Sequence, residues 1–368
     1  MLPWKTFQLR TRRATGGRSL GSVRVLLADP PAFTPTYDHE LAAALARAGA
    51  DTELVTSRFR FGAVPEPVGY RRRELFYPLS SRLFRRSRLR LPVKALEHPF
   101  GVVRLDLARA DVVHLQWIAA PELDRWLLRP RSPLVFTAHD LLPRRTAAKR
   151  GLWRRLFGRC RRVVVHSERG REALAAFGVP EERLRVIPHP VTLSDPPRTD
   201  DGATVLALGI VRPYKQVDQA AEAVRRVPGA RLLVAGDRAG PLPPLDGAEL
   251  RLGYLSEHEV QRALGDATVA VFPYRAEVDQ SGVLLQALGA GVPAVVYDVG
   301  GLAEPVRAFG AGRVVPPDDV DALASALAEL LGDSVALEAA REGARRAREA
   351  LTWDAAAAAH LALYRELE

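Results

Sequence analysis

The sequence predicts an α/β protein made of two doubly wound, Rossmann-like units, and three observations carry that prediction. Short apolar runs bounded by Pro, Gly and Asp alternate with stretches of helical spacing, the pattern of buried parallel strands joined by helices. The alternation is interrupted once, at a polar, breaker-rich stretch over 194–202, and then restarts. A length of 368 residues suits two domains of ordinary size, each with its own core.

The elements follow in order. Residues 1–20 hold five cations, no acid and a Gly16-Gly17 pair without periodicity, so they read as a flexible basic leader. Order is expected from residue 23, with an apolar run over 23–28 that stops at Asp29-Pro30-Pro31. Leu41, Ala44, Leu45 and Ala48 then share one helical face, Gly49 closes the helix, and 52–56 forms the next strand. Further strands are predicted at 111–115, 134–138, 162–166 and 184–187. Beyond 194–202, read as the interdomain linker, strands are predicted at 204–208, 231–235, 267–272 and 294–297. Helices fall at about 216–226 and 282–290, and Asp318-Asp319-Val320-Asp321 caps a helix bearing Leu323, Leu327 and Leu330. The first domain is therefore expected over 21–193 and the second over 202–350, with a terminal helix, 353–368, packing back on the first. Facing Rossmann-like domains would bind ligands in a cleft between strand ends.

Composition narrows the function classes. Lys and Arg number 53 against 43 Asp and Glu, a formal net charge of +10, while 47% hydrophobic and 26% charged residues describe a folded chain rather than a disordered one. The single cysteine, Cys160, excludes an intrachain disulfide and a cysteine-rich metal site. No run approaches the roughly 20 apolar residues of a membrane span, and the start lacks the apolar core of a signal peptide, so a cytoplasmic location is expected. Almost all the positive charge is arginine; Lys5, Lys94, Lys149 and Lys215 are the only lysines, and Lys215 stands alone in the C-terminal half.

Chemistry concentrates in that half. The strand ending at Leu208 runs into Gly209-Ile210-Val211-Arg212-Pro213-Tyr214-Lys215, which sets a planar guanidinium and a compact ammonium just past a strand tip. Such a pair suits a diphosphate, or it is a solvated basic turn. Downstream, Ser281 is an N-cap candidate and Gly282 opens a helix whose free N–H groups could receive phosphate oxygens. Asp298-Val299-Gly300-Gly301-Leu302-Ala303-Glu304 adds a glycine pair against which a ligand can lie and a carboxylate for a hydroxyl or a helix cap.

Taken together these motifs resemble the retaining glycosyltransferases of family 4, which have the two-domain GT-B fold. The matching pieces are residues 209–215, Leu233-Val234-Ala235-Gly236-Asp237, Gly253-Tyr254-Leu255, Ser281-Gly282-Val283, Gly291-Val292-Pro293 and residues 298–304. The likeness extends to 111–117, 137–140, His166-Ser167 and 187–189, and so to roughly 23–365. The resemblance implies that Arg212 and Lys215 bind the diphosphate of a nucleotide-sugar donor beside Gly209, helped by the N–H groups of Ser281, Gly282 and Val283. It also implies that Gly236 and Tyr254 shape the base and ribose pocket, that His139 faces the transferred sugar, and that Asp140 orients it. No cofactor and no metal ion are implied. Two departures stand out: the glutamate pair of many members falls on Gln286 and near Val278, with Glu277 and Asp279 close by, and Asp29-Pro30-Pro31-Ala32-Phe33 replaces a glycine pair after the first strand.

The remaining features have separate readings. His114 ends a strand and either touches acceptor or is a core-edge histidine, whereas His166 and His189 read as structural. Residues 71–94 interleave cations with Phe76, Tyr77, Leu83, Phe84, Leu89 and Leu91, which suits either a solvated basic face or an anionic membrane surface. The second possibility would place the protein at the inner face of the cell membrane with a glycan, glycolipid or lipid-linked acceptor. Nothing resembles a base-reading module, so nucleic acid is not an expected partner. Two alternatives to an enzyme are a degenerate nucleotide-sugar or glycan binder and a basic membrane adaptor.

Overall fold

A computed structural model of the chain describes residues 22–83, 87–143, 145–275 and 279–367; the predicted leader and the cations at 85 and 86 lie outside them. The chain divides into two compact units: an N-terminal one running to Pro188 and taking back the chain from Trp353, and a C-terminal one, His189–Thr352.

In the N-terminal unit the strands are β1 (Arg24–Asp29), β2 (Asp51–Ser57), β3 (Arg71–Phe76), β4 (Val112–Leu115), β5 (Leu134–Thr137), β6 (Arg162–Val165) and β7 (Leu184–Val186). All pair in parallel, in the order β3-β2-β1-β4-β5-β6-β7. The order reverses direction between β1 and β4, which opens a crevice at their carboxyl ends. Its helices are α1 (Pro35–Arg47), α2 (Arg90–Asp106), α3 (Pro121–Leu127), α4 (Arg150–Arg159) and α5 (Glu168–Phe177). Side chains alternate across each strand, so β1 feeds two cores. Val25 and Leu27 pack with Leu41 and Leu45 of α1, and Leu26 and Ala28 pack on the other side with Phe136, Trp153 and Phe157.

The C-terminal unit repeats the plan with β8 (Thr204–Leu208), β9 (Arg231–Gly236), β10 (Glu249–Leu252), β11 (Val269–Phe272), β12 (Ala294–Tyr297) and β13 (Gly312–Val315). Their parallel order is β10-β9-β8-β11-β12-β13, reversing between β8 and β11. Around them lie α6 (Val217–Arg225), α7 (Glu257–Asp266), α8 (Gly282–Gly289), α9 (Ala303–Phe309), α10 (Val320–Gly332) and α11 (Ser334–Ala350). Helix starts follow side-chain chemistry: Ser256 and Glu259 form a reciprocal cap on α7, and Asp319 and Asp333 cap α10 and α11. The final helix, α12 (Trp353–Arg365), belongs to the N-terminal unit, where Ala357, Leu361 and Tyr364 join the core under α1.

The stretch 194–202 is not a free span. Ser194 N–H donates to Gly289 O at 3.4 Å, Thr199 N–H to Gly265 O at 3.0 Å, and Arg348 pairs with Asp195 at 2.6 Å. Its breakers mark a strap bound along the C-terminal unit.

Candidate functional site

In the C-terminal unit, β8 ends at Leu208 and Gly209 turns the chain at φ +90°. A Cβ at Gly209 would sit 2.9 Å from Lys215 Nζ and 2.9 Å from Val283 Cγ1, so glycine alone lets loop, lysine and α8 close on one another. Behind it, Gly236 at the end of β9 would drive a Cβ to 2.5 Å from the Gly209 backbone. A 3₁₀ turn, Pro213–Lys215, then folds Lys215 back under the strand tip. Its Nζ donates to Leu208 O at 3.1 Å and lies 5.5 Å from the centre of the Tyr274 ring.

Lys215 is 7% exposed, and among the described residues no carboxylate pairs with it. Burial and the neighbouring Arg212 charge lower its pKa to about 8. Gln216, at φ +44°, donates to Asp318 Oδ1 at 2.6 Å and fixes the far end of the turn. Across the switch point, Tyr274 follows β11 and meets Tyr214 edge-on at 5.7 Å. Ser281 Oγ accepts from Leu284 N–H at 3.4 Å and donates to Tyr274 Oη at 3.5 Å, so it caps α8 as expected from sequence.

These contacts bring Gly209, Lys215, Ser281, Gly282 and Val283 together, with Gly236 as backing and Arg212 exposed beside them. Tyr254 stands 80% exposed after β10. Glu304 lies half-buried in the first turn of α9, on a loop tied to the entry of α8 by Gly301 N–H donating to Asp279 Oδ1 at 3.0 Å. Glu277 and Val278 lie outside the described residues. The part of Tyr274 went unread in the sequence, although Phe272-Pro273-Tyr274 closing a strand opposite Lys215 was its signal.

At the switch point of the N-terminal unit, His139 follows β5. Its Nε2 lies 3.0 Å from Gln116 Oε1 and its Nδ1 lies 3.3 Å from His166 Nε2, while His166 Nδ1–H donates to Ile187 O at 2.9 Å. Trp117 stacks on the His139 ring at 5.2 Å and Tyr37 meets it edge-on at 4.7 Å. The imidazole is thus held by Gln116, which the sequence did not single out, and by His166, in the structural part expected of it, with Asp140 exposed at the next position.

Of the two readings of His114, the structure matches the core one. The residue is fully buried, its Nδ1 sits 2.6 Å from Tyr364 Oη and its Nε2 2.8 Å from Thr137 Oγ1, so it ties α12 to the sheet. Burial holds its pKa well below the usual value and keeps it neutral.

The 71–94 segment also divides differently from its sequence reading. Arg71 and Arg73 lie on strand β3 and pair with Asp51 and Glu53 of β2, while Phe76 and Tyr77 are buried. Those cations and aromatics face different surroundings, so 71–77 is no interfacial segment. Among the described residues no helix is long and apolar enough to cross a membrane, and no three His, Cys, Asp or Glu side chains gather as metal ligands.

The Glycosyltransferase Family 4 model matches residues 35–195 and the Glycosyl transferases group 1 model matches 202–333. The D-inositol 3-phosphate glycosyltransferase of Mycobacterium avium is 28% identical over 324 residues, 75% of each chain. The exopolysaccharide phosphotransferase SCO2592 of Streptomyces coelicolor is 34% identical over 205 residues, half of this chain and only 21% of that protein's length. Among solved structures, sucrose-phosphate synthase from Thermosynechococcus elongatus aligns over 94% of this chain and 99% of its own, with a TM-score of 0.70 at 20% identity. Anabaena HepE in complex with UDP and glucose aligns over 94% and 100%, with a TM-score of 0.65 at 14% identity.

Proposed function

The chain belongs to the GT-B glycosyltransferases that pair a family 4 domain with a group 1 domain, and from that premise we propose that it transfers a sugar from a nucleoside-diphosphate sugar to a hydroxyl of a glycan, glycolipid or lipid-linked acceptor. The anomeric configuration is retained, and no metal ion is needed. The observation that carries this reading is the buried ammonium of Lys215 at the switch point, held among the described residues by a carbonyl and an aromatic ring beside the start of α8. Burying a cation without a counter-charge is costly, and an incoming diphosphate offsets the cost.

The roles follow from position. Lys215 acts as a point charge and Arg212 as a planar fork on the diphosphate, and the α8 N–H groups around Ser281, Gly282 and Val283 receive its oxygens. Gly236 lets the backbone approach the nucleoside, which Tyr254 covers, and Glu304 takes a donor hydroxyl. His139 faces the transferred sugar. In the reaction the bond from the anomeric carbon to the departing phosphate breaks, and a bond to the acceptor oxygen forms on the same face. The departing phosphate takes the acceptor's proton, and Arg212, Lys215 and the helix end carry its growing charge.

A thermal-shift panel of nucleotide sugars, with UDP-glucose first because HepE is seen with it, tests the reading. One donor is expected to stabilise the wild type and not Arg212→Ala or Lys215→Ala. Turnover in EDTA and an axial or equatorial product linkage read by NMR then test metal independence and retention.

A lipid surface is a second reading, favoured by α2. Leu89, Leu96, Phe100, Val103 and Leu107 recur at helical spacing and are each at least half exposed, opposite buried His98, Gly101, Val102 and Leu105. Between residues 79 and 109 the sequence has eight cations and two acids, so a second copy would bring like charges together whereas an anionic bilayer complements them. Co-sedimentation with phosphatidylglycerol vesicles is expected, and Leu96→Asp/Phe100→Asp is expected to abolish it; equal recovery of both proteins would refute it.

A further inference from the structure

The N-terminal unit holds a second concentration of charge that the donor chemistry leaves unused. The loops after β1 and β2, the turn after β3 and the first turns of α2 enclose a pocket of about 200 Å³. Among the described residues four cations line it, Arg58, Arg60, Arg90 and Lys94, with Ser80 and Ser81 and no carboxylate. Cationic side chains converging on so small a volume give it a positive potential, which an anion complements.

The walls are held in place before any ligand arrives. Arg60 donates to Ser81 O, and its Nε is buried without a hydrogen-bond partner among the described residues. Lys94 Nζ sits 4.3 Å over the Tyr77 ring, and burial together with the Arg90 charge keeps its pKa below the ordinary lysine value. Tyr77 itself takes φ +56°, a conformation rarely kept by a bulky residue without a reason. It is locked there by a buried relay: Tyr77 O–H donates to His98 Nδ1 at 2.7 Å, and His98 Nε2–H donates to Asp124 Oδ1 at 2.6 Å. Asp124 Oδ2 in turn accepts from Ala120 N–H at 2.9 Å. Glu97, the acid nearest in sequence, accepts from Leu79 and Ser80 N–H at 2.6 and 2.9 Å.

An adjoining pocket of about 250 Å³ shares Ala32, Ser57, Arg58 and Phe59 and presents Asp38 and Glu74, groups suited to hydroxyls. We propose that the four-cation pocket is a phosphate-recognition site, and that the acceptor carries a phosphate or diphosphate there with its hydroxyl-bearing part in the adjoining pocket. Arginine forks pair bidentately with phosphate oxygens, and Lys94 adds a point charge. The inference rests on the glycosyltransferase reading for the ligand's role as acceptor, whereas anion binding is measured apart from turnover.

Calorimetric titration with glucose 6-phosphate, farnesyl diphosphate and, as a control, glucose tests it. The probes run against the wild type, Arg58→Gln/Arg90→Gln and the donor-cradle variant Lys215→Met, with circular dichroism confirming that each is folded. At least one phosphorylated probe is expected to bind the wild type and Lys215→Met alike, and about tenfold or more weakly to Arg58→Gln/Arg90→Gln. Preference for glucose 6-phosphate points to a soluble phosphorylated acceptor and preference for farnesyl diphosphate to a lipid-linked one. Binding lost only in Lys215→Met, binding equal in all three, or no binding to the wild type overturns the proposal. A protein that binds these probes but transfers no sugar keeps the anion site and loses the acceptor role.

Discussion

The two switch points are built on the same topology and furnished in opposite ways. Beyond β8 and β11 the chain buries one ammonium, brings two glycines and a helix start against it, and leaves no room for another atom at Gly209. Beyond β1 and β4 it buries two carboxyls, Asp29 and Asp38, and gathers Phe33, Tyr37, Trp117 and His139 into a mixed wall. The first arrangement suits one fixed, compact anion. The second offers rings, amides and carboxyls over a wider area, as a site for hydroxyl-rich partners requires. A common scaffold can therefore keep one site rigid in chemistry and leave the other free to differ.

The largest effect is expected where the furnishing is tightest. Lys215→Met keeps the stem and removes the charge, and should lower kcat/KM for transfer by about 10²–10³, roughly 3–4 kcal/mol, with little change in thermal stability. A loss below about threefold, measured by steady-state turnover, would equate the two switch points and break the comparison.

Titration of the same group gives a smaller effect. With a pKa of about 8 in the free protein, Lys215 is charged at pH 7 and neutral at pH 10. A bound diphosphate favours the charged form, so binding above pH 8 requires proton uptake, and Kd should rise toward about tenfold per pH unit. The sign for folding is opposite: below pH 8 the buried charge costs stability in full, and that cost is relieved as pH climbs from 8 toward the unfolded value. Calorimetry of the nucleoside diphosphate from pH 7 to 10 checks this, with Lys215→Met expected to be flat.

The smallest effect belongs to the carboxyl pair. Burial raises both Asp29 and Asp38, and repulsion by its neighbour pushes Asp38 further. A raised carboxyl costs nothing near pH 4 and an increasing amount as pH rises through its folded pKa. Asp38→Asn should therefore raise Tm at pH 7.5 by about 2–4 °C for each kcal/mol released, and less at pH 4.5. The same variant should turn over acceptor more slowly, since Asp38 lines the pocket; a gain in Tm without that loss would show the pair to be structural only.

The contrast also explains what the sequence disclosed. The C-terminal cradle is written in short contiguous runs, 209–215 and 281–283, so glycine, lysine and cap could be read together. The N-terminal site draws Tyr37 from α1 and Gln116, Trp117, His139 and His166 from the three connections after β4, β5 and β6, so no single run of sequence spells it out and only the resemblance picks out His139. Strand β3 went unread because Arg71 and Arg73 balance Asp51 and Glu53 on β2 and show no apolar alternation. Helix α2 went unread because it has two apolar faces and Pro99 within it, which blurs the period. His114 stayed open between ligand and core because the partner that decides it, Tyr364, is 250 residues away.

That last bond has a consequence for how the protein is made. The N-terminal unit takes Ala357, Leu361 and Tyr364 into its interior from chain that is synthesised only after the whole C-terminal unit. While the C-terminal unit is being synthesised, the earlier unit waits with His114 lacking the phenol that should cover it. A nascent chain stalled before residue 353 should accordingly stay protease-sensitive in its first half, and supplying the missing helix as a peptide should protect it.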